Sequence, residues 1–283
     1  MISHGEPGEF DSHDALNPSV VLFQGSYLNL YSGFDGKTWS TGLATSPDGL
    51  AWQKQGKVLT PDASTWEGDY IAANGSAIVE GNRLLYFYQG GRVPEIGLAE
   101  SSDGRSWHRH GDPVLALGPR GSWDERGVAD PYVIRAGGKL YMFCLGQDRA
   151  RQQRLGVAVS DDGGATWTKF RGNPILDLGA FGEFDENGLG EPAVWDAGGY
   201  YWMLYTGRAR DEVRRLGLAR SKNGVQWEKI KTVFAGDQTW DSKVLCDPTV
   251  LPGPDGLRVW FGGGDVAHPD ENVHGQIGFA LLK

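Results

Sequence analysis

The sequence predicts an all-β fold, namely a five-bladed β-propeller with four-stranded blades around a central channel. Three observations predict it: a unit of about 57 residues recurs along the chain, each unit holds four strand-like runs, and glycine and aromatic residues are abundant. The 283 residues include 43 Gly, 11 Trp, 10 Tyr and 11 Phe, a composition that favours short strands joined by tight turns. Because no shift in composition divides the chain, residues 1–283 are predicted to form a single domain.

The strand-like runs of each unit have patterns that assign them to positions in a blade. Short apolar runs such as residues 19–22 suit an innermost strand that is buried on both faces. Aromatic runs that end in glycine, such as residues 27–33, alternate more clearly and suit the second strand. A turn of the type Ser-x-Asp/Asn-Gly followed by Trp, as at residues 46–52, is expected to join the third strand to the fourth, because the acid or amide bonds the turn backbone.

The fifth unit stops after its third strand-like run, residues 276–282. Residues 1–9 precede the first inner strand and are not needed by the first blade. We therefore expect them to supply the missing outer strand and close the ring.

An aromatic–acid pair recurs in all five units, eight or nine residues before a proline or glycine. The acids of these pairs are Asp11, Glu67, Asp124, Asp185 and Asp241. A feature that is present in every unit is expected to support the architecture, so these acids are predicted to be structural.

A second set of five polar residues immediately precedes each proline, or Gly75 in the second unit. Its members are Asn17, Asn74, Asp130, Glu191 and Asp247. Because the inner strands of a propeller begin at one mouth of the channel, these positions are predicted to form a ring there. Crowded carboxylates raise one another's pKa, which is how a general acid and a base are separated. Glu191 departs from the repeat as its only glutamate, and it follows a glycine-rich stretch.

Two segments of this ring resemble motifs of a known family. Ala129-Asp130-Pro131 and Gly190-Glu191-Pro192, one blade apart, resemble those of the five-bladed propeller glycosidases of the arabinanase, levansucrase and invertase group (glycoside hydrolase families 43 and 32). The resemblance implies a glycosidase that cleaves a small glycoside or oligosaccharide of pentose or fructose type. It implies Glu191 as general acid and Asp130 as the residue that orients the substrate.

The first-blade acid of that family is missing, since Asn17 stands in its place. Asparagine is neither a base nor a nucleophile. Asp14, from the neighbouring loop, is therefore the expected third catalytic residue, and Asp247 of the fifth blade is the alternative. The substitution also leaves open a non-catalytic, carbohydrate-binding propeller.

The remaining candidates for substrate binding lie on the loops at the same mouth. The full set is Asn17, Asn74, Asp247, Arg92, Arg149, Arg208 and Trp66. Arginines at a mouth otherwise rich in acids are suited to a carboxylate or phosphate. They keep two further alternatives open, a glycoside phosphorylase and a sialidase-like enzyme acting on an anionic sugar. The segment 268–274 holds metal-capable side chains but is expected to be a solvated loop.

Charge and composition restrict the partners and the compartment. The formal net charge is −9 and no basic run is present, which argues against nucleic acid and anionic membranes as partners. Two cysteines are too few for a disulfide framework. The start of the chain has no signal-like apolar segment, so a cytoplasmic location is expected. A carbohydrate ligand is expected, without a cofactor or a metal, and the oligomeric state stays open.

Overall fold

A computed structural model describes residues 1–230 and 233–283, and the backbone alone at 231 and 232. Within that part of the chain there are nineteen β-strands, a single 3-10 turn at Thr239–Asp241 and no α-helix. No described helical segment has the length and hydropathy needed to cross a membrane. The strands form five blades around a channel, so the predicted five-bladed β-propeller is confirmed.

Each blade is an antiparallel sheet whose first strand lies innermost. Blade 1 comprises β1 (Asp14–Phe23), β2 (Ser26–Phe34), β3 (Trp39–Ser46) and β4 (Gln53–Leu59), and blade 2 comprises β5 (Ile71–Glu80), β6 (Arg83–Gly90), β7 (Glu95–Ser101) and β8 (His108–Arg109). Blade 3 comprises β9 (Gly127–Ala136), β10 (Lys139–Gln147), β11 (Gln153–Ser160) and β12 (Thr168–Lys169). Blade 4 comprises β13 (Gly188–Ala197), β14 (Tyr200–Arg208), β15 (Arg214–Ser221) and β16 (Trp227–Phe234), and blade 5 comprises β17 (Val244–Gly253), β18 (Gly256–Gly264) and β19 (Gln276–Leu282).

The fifth blade is completed by the N-terminus, as the sequence predicts. Ile2 forms an antiparallel bridge with Ile277 of β19, with backbone hydrogen bonds of 3.0 and 2.8 Å. Ile2 is buried against Trp260 and Ile277. The contact is a single bridge rather than a full fourth strand, because Gly5, Pro7 and Gly8 follow at once.

The inner strands are longer than the apolar runs from which they were predicted. β1 begins at Asp14 and continues through Asn17 and Pro18, where its register with β2 shifts. The same shift occurs at the equivalent residues of β5, β9, β13 and β17. The five polar ring residues therefore lie inside a strand at a bulge, and not in a turn that precedes it.

The aromatic–acid pairs are structural, as predicted. Each aromatic ring fills the space that a Cβ would need at two glycines of its own blade; Trp66, for example, lies against Gly90 and Gly97. The acids that follow are buried and bonded to the blade, as Asp185 is to Tyr205 (3.0 Å) and Lys229 (2.6 Å). Glycine is required at these strand positions so that a ring can lie flat on the sheet.

The Ser-x-Asp/Asn-Gly turns are also structural. In the third copy, Ser160 donates to Asp162 (2.8 Å), Asp162 accepts from the backbone of Thr166 (3.0 Å), and the Trp167 indole donates to the Gly164 carbonyl (3.0 Å). All these bonds close the turn locally, so the turns hold the outer strands and lie away from the channel mouth.

Candidate functional site

A cavity of about 350 Å³ opens at the channel mouth where the five inner strands bulge. Its lining includes all five predicted ring residues: Asn17, Asn74, Asp130, Glu191 and Asp247. Its walls include the loops that follow the second strands of blades 2 and 5, and Arg208 and Arg214 from the strands of blade 4. The structure thus brings together, from five separate blades, the residues that the repeat placed in a ring, and the volume is typical of a small-molecule site.

The bulges have a common backbone conformation that explains why polar residues occupy the ring. All five ring residues have a positive φ, between 46° and 52°. Asn and Asp adopt this left-handed region more readily than most residues, whereas glutamate does so at a cost. Such strain is stored where a side chain has to point in a particular direction. Glu191 therefore adopts a conformation that its own type disfavours, in the lining of the cavity.

Asp247 is held by three donors. Its carboxylate accepts from the Asn17 side chain (2.8 Å), from the Asn17 backbone amide (3.2 Å) and from the Cys246 thiol (3.0 Å). Its own backbone amide donates to the Thr206 hydroxyl (3.2 Å). Asn17, which cannot act as a base, instead orients the carboxylate of the neighbouring blade.

Glu191 and Asp247 lie close together. One carboxylate oxygen of each and the Cys246 sulfur lie within 4.8 Å of one another. The Glu191 Oε2 atom is buried and has no hydrogen-bond partner among the described residues. The three donor atoms are near enough to share a metal ion, but the pKa of the Cys246 thiol is raised well above its usual range, first by burial and then by Asp247, which opposes formation of the thiolate.

Burial and the neighbouring carboxylates raise the pKa of two acids at the mouth, Asp130 and Asp247. Burial, with Glu191 and Asp247 nearby, raises the pKa of Asp130 well above its usual range. Burial and the Glu191 charge raise the pKa of Asp247 to about 8. Groups that interact so strongly titrate together, so the cluster holds at least one proton at neutral pH. The cavity therefore contains a carboxyl group that can donate a proton at neutral pH.

Asp14, the expected catalytic residue, does not lie in the cavity. It is fully buried, and its carboxylate accepts from the backbone amides of Asn272 (2.6 Å), Val273 (3.0 Å) and Gly275 (2.8 Å). Three backbone donors occupy the carboxylate, so it cannot also reach a substrate at the ring. The prediction is corrected here: the position opposite Glu191 belongs to Asp247.

Two of the predicted substrate-binding residues also lie elsewhere. Trp66 stacks on Tyr88 inside blade 2 and does not line the cavity. Arg149 is exposed in the turn between β10 and β11, away from the lining. Both residues have a structural explanation that does not involve a ligand. Trp66 fills the space over two glycines, and Arg149 lies in a turn that is closed by Asp148.

Arg92, Arg208 and Asn74 do line the cavity, as predicted. Arg92 lies at the rim, where it pairs with Asp69 (3.0 Å) and covers the Tyr70 ring at 5.5 Å. The Nε atom of Arg208 is buried and has no hydrogen-bond partner among the described residues. Asn74 faces Asp130 at 3.5 Å through its side-chain nitrogen.

The sequence analysis does not predict several residues of the lining, among them Trp39, Tyr70, Arg214 and Glu271. Arg214 is only 8% exposed, and it donates to the carbonyls of His268 (3.0 Å) and Pro269. Glu271 belongs to the segment that is predicted to be a solvated loop. Pro269 and Asp270 are exposed, as predicted, but residues 269–271 also line the cavity. No motif marks these positions; the greater length of the loop was the available signal.

Comparison with known proteins agrees with this architecture. A family model described as the glycosyl hydrolases family 32 N-terminal domain matches residues 20–157 and again residues 97–246. The chain belongs to this family. A solved thermostable family-43 glycoside hydrolase has a similar fold, with a TM-score of 0.74 over 95% of this chain and 89% of that one at 16% identity. The predicted resemblance to families 43 and 32 is confirmed.

Two proteins are similar in sequence to this family 32 propeller, and only one of them is named for an activity. The uncharacterized protein Rv1502 of Mycobacterium tuberculosis (strain ATCC 25618 / H37Rv) is 26% identical over 229 residues, which are 75% of each chain. A 1,2-beta-oligomannan phosphorylase of Thermoanaerobacter sp. (strain X514) is 26% identical over 150 residues, 51% of this chain and 47% of that protein. The chain is thus a propeller of the glycoside hydrolase and phosphorylase type.

Proposed function

We propose that this protein cleaves the glycosidic bond of a small glycoside or oligosaccharide, with Glu191 as general acid and Asp247 as its partner. The observation that supports this most is the approach of their carboxylate oxygens to within 4.8 Å inside one cavity. A glycosidase needs one carboxyl that carries a proton and one that does not. Although burial raises the pKa of Asp247 to about 8, its hydrogen bonds from Asn17 and Cys246 favour the ionised form. In the reacting form, the proton of the cluster lies on Glu191. Asp247 supplies the carboxylate that the first blade lacks, and it does so from the neighbouring blade.

The short distance between the carboxylate oxygens of Glu191 and Asp247 favours a retaining reaction. Retaining enzymes have carboxyl groups about 5–5.5 Å apart, and inverting enzymes need about 6.5–9.5 Å to admit a water molecule. In the proposed first step, Glu191 gives its proton to the leaving oxygen while Asp247 bonds to the anomeric carbon and the glycosidic bond breaks. Water, deprotonated by Glu191, then displaces Asp247 and restores both groups. Asp130, whose pKa is raised, is proposed to hold the substrate by donating to a sugar oxygen.

Phosphorolysis is the second candidate, and a specific observation favours it. The buried Nε of Arg208 has no partner, and Arg214 lies beside it in the same lining. Guanidinium groups of this kind bind phosphate oxygens. Phosphate is its own nucleophile, so such an enzyme would not need the acid that Asn17 replaces. The similarity to a protein named as an oligomannan phosphorylase points the same way.

One assay separates these candidates. Purified protein is incubated with sucrose and with the 4-nitrophenyl glycosides of arabinofuranose, xylose and mannose, each with and without inorganic phosphate. Hydrolysis is expected to release the free sugar in both conditions, and phosphorolysis a sugar 1-phosphate only when phosphate is present. Failure to release sugar from any of them, together with no binding of the parent sugars by calorimetry, would contradict both candidates.

A further inference from the structure

The connection between the second and third strands of blade 5 is unlike its four counterparts. It spans residues 265–275, eleven residues between β18 and β19. The counterparts in blades 1 to 4 are residues 35–38, 91–94, 148–152 and 209–213. A connection more than twice as long as its repeat equivalents is where a specific function is expected in an otherwise regular fold. Its residues 269–271 form part of the cavity wall.

This loop is fastened by residues of two other blades. Asp14 of blade 1 accepts three of its backbone amides, and Val273 is completely buried beneath it. Arg214 of blade 4 donates to the carbonyls of His268 and Pro269. Buried hydrogen bonds to charged groups are costly to break, so the loop is a fixed wall of the cavity.

The side chain of Glu271 is oriented by two aromatic residues of the cavity. Its Oε2 atom accepts from the Tyr70 hydroxyl (2.7 Å) and from the Trp39 indole (3.4 Å). Burial and this hydrogen bond raise the pKa of Tyr70, which therefore stays a donor. Among the described residues, none donates a hydrogen bond to Oε1. A fixed carboxylate is thereby left with one free acceptor oxygen beside two rings.

We propose that Glu271 is a specificity-determining residue that accepts hydrogen bonds from hydroxyl groups of a neutral sugar unit at the part of the cavity wall that includes Trp39 and Tyr70. Sugar rings combine an apolar face with polar edges, and aromatic rings beside a carboxylate match both. A negatively charged group in contact with Glu271 is disfavoured, because Asp270 is its neighbour in the lining and neither acid forms a salt bridge within the described part of the chain. The inference rests on the proposed function and adds the class of sugar and the residue that selects it.

The test compares Glu271→Ala and Glu271→Gln with the wild type and with Asp265→Asn. Asp265 is a matched control, because it lies in the same loop but pairs with His274 (2.8 Å) outside the cavity lining. The substrate is the 4-nitrophenyl glycoside that the wild type cleaves fastest, together with its monodeoxy derivatives. Loss of a charge-assisted hydrogen bond predicts that KM rises about 10- to 100-fold in Glu271→Ala with kcat nearly unchanged, while Asp265→Asn is unaffected.

The deoxy derivatives make the result specific. For one deoxy derivative, the KM of the wild type is expected to rise by the same factor as in Glu271→Ala. The KM of Glu271→Ala is expected to be the same for that derivative as for the parent glycoside. Equal deoxy penalties in the two proteins, or a Glu271→Ala that behaves as Asp265→Asn does, would overturn the inference while leaving the proposed function intact. Glu271→Gln keeps an acceptor for Tyr70 and serves if the alanine variant does not fold; an unchanged KM in it and an unchanged deoxy pattern count equally against the inference. A wild type that releases and binds no sugar contradicts the proposed function itself, and this inference with it.

Discussion

The repeat gives this propeller two sets of five polar positions, and the sets differ in how their charge is compensated. In the first set, the acids of the aromatic–acid pairs, four of five have a lysine or arginine nitrogen within 3.2 Å. In the second set, Asp130, Glu191 and Asp247 have no salt bridge within the described part of the chain and instead raise one another's pKa or lie within reach of one another. The compensated set holds the blades together, and the uncompensated set forms the cavity.

The comparison shows how a repeat protein separates architecture from function. Positions that serve packing retain the same chemistry in each blade, because each blade meets the same environment. Positions around the axis face one another, so identical acids there would only repel, and the sequence varies among Asn, Asp and Glu. An observed difference among equivalent positions is therefore the more informative signal.

The largest expected effect concerns Glu191. Glu191→Gln is expected to lower turnover by about 10²- to 10⁴-fold, because the general acid is lost. The unfolding midpoint is expected to be nearly unchanged, since Oε2 has no hydrogen-bond partner to lose among the described residues. Rates on the best glycoside and thermal unfolding of the same preparation check both parts. Full activity in this variant would remove Glu191 from the reaction.

The opposite result is expected for an acid of the first set. Asp185→Asn replaces a fully buried carboxylate that is bonded to Tyr205 and Lys229, and it leaves the lysine charge uncompensated. The free energy of unfolding is expected to fall by about 3 kcal/mol, with turnover per folded molecule retained. Denaturant titration and activity measure the two quantities. An Asp185→Asn variant that is stable but inactive would contradict the assignment of the first set to structure and the second set to function.

The pH dependence of stability sharpens the comparison. Because the folded-state pKa of Asp130 is raised above its unfolded value, its contribution to stability is complete below the unfolded pKa and is lost as the pH rises towards the folded pKa. Asp130→Asn cannot ionise, so its unfolding midpoint relative to the wild type is expected to rise between pH 5 and pH 8, by about 2–4 °C for each kcal/mol regained.

Asp48 provides the matched control for that measurement. Its pKa is lowered to about 2 by backbone hydrogen bonds from Ala51 and Leu50, so its contribution is lost only as the pH falls towards that value. The midpoint of Asp48→Asn is expected to differ from the wild type by the same amount at pH 5 and pH 8. A constant offset for Asp130→Asn as well would contradict the account of crowded carboxylates.

The smallest expected effect concerns Cys246. Its thiol donates to Asp247 and lowers the pKa of that carboxyl, so Cys246→Ala is expected to move the pH–rate profile to higher pH by about 0.5–1 unit. Cys246→Ser keeps a donor and is expected to restore the profile. Cys144 is the other buried thiol, and Cys144→Ser should leave the profile in place. An unchanged pH–rate profile in all three variants would show that the Cys246 thiol has only a packing role.

The sequence predicts the fold and the ring because both follow from repetition. The register of the aromatic–acid pairs and of the residues before proline, or before Gly75 in the second unit, predicts a ring, and the structure agrees. The ring residues are Asn17, Asn74, Asp130, Glu191 and Asp247. The bulge could not be foreseen in the same way, because strand length was judged from the apolar runs alone. The prediction that Trp66 binds substrate is wrong, because an aromatic residue that packs on glycine and one that contacts a sugar have the same sequence pattern.

Asp14 and Glu271 show more clearly what the sequence could not predict. Their roles depend on how a loop of blade 5 crosses to blade 1, a contact between residues 258 positions apart for Asp14 and Asn272. No local spacing encodes such a contact. The sequence predicts only a solvated loop for the same reason, although the loop is longer than its counterparts in the other blades.

The account depends most on Asp247 as the partner of Glu191, and the turnover of Asp247→Asn tests that directly. On the glycoside that the wild type cleaves fastest, kcat is expected to fall by about 10²- to 10⁴-fold, while Asp265→Asn keeps the wild-type rate. A rate for Asp247→Asn within tenfold of the wild type, with turnover lost instead in a folded Asp14→Asn, would contradict the assignment.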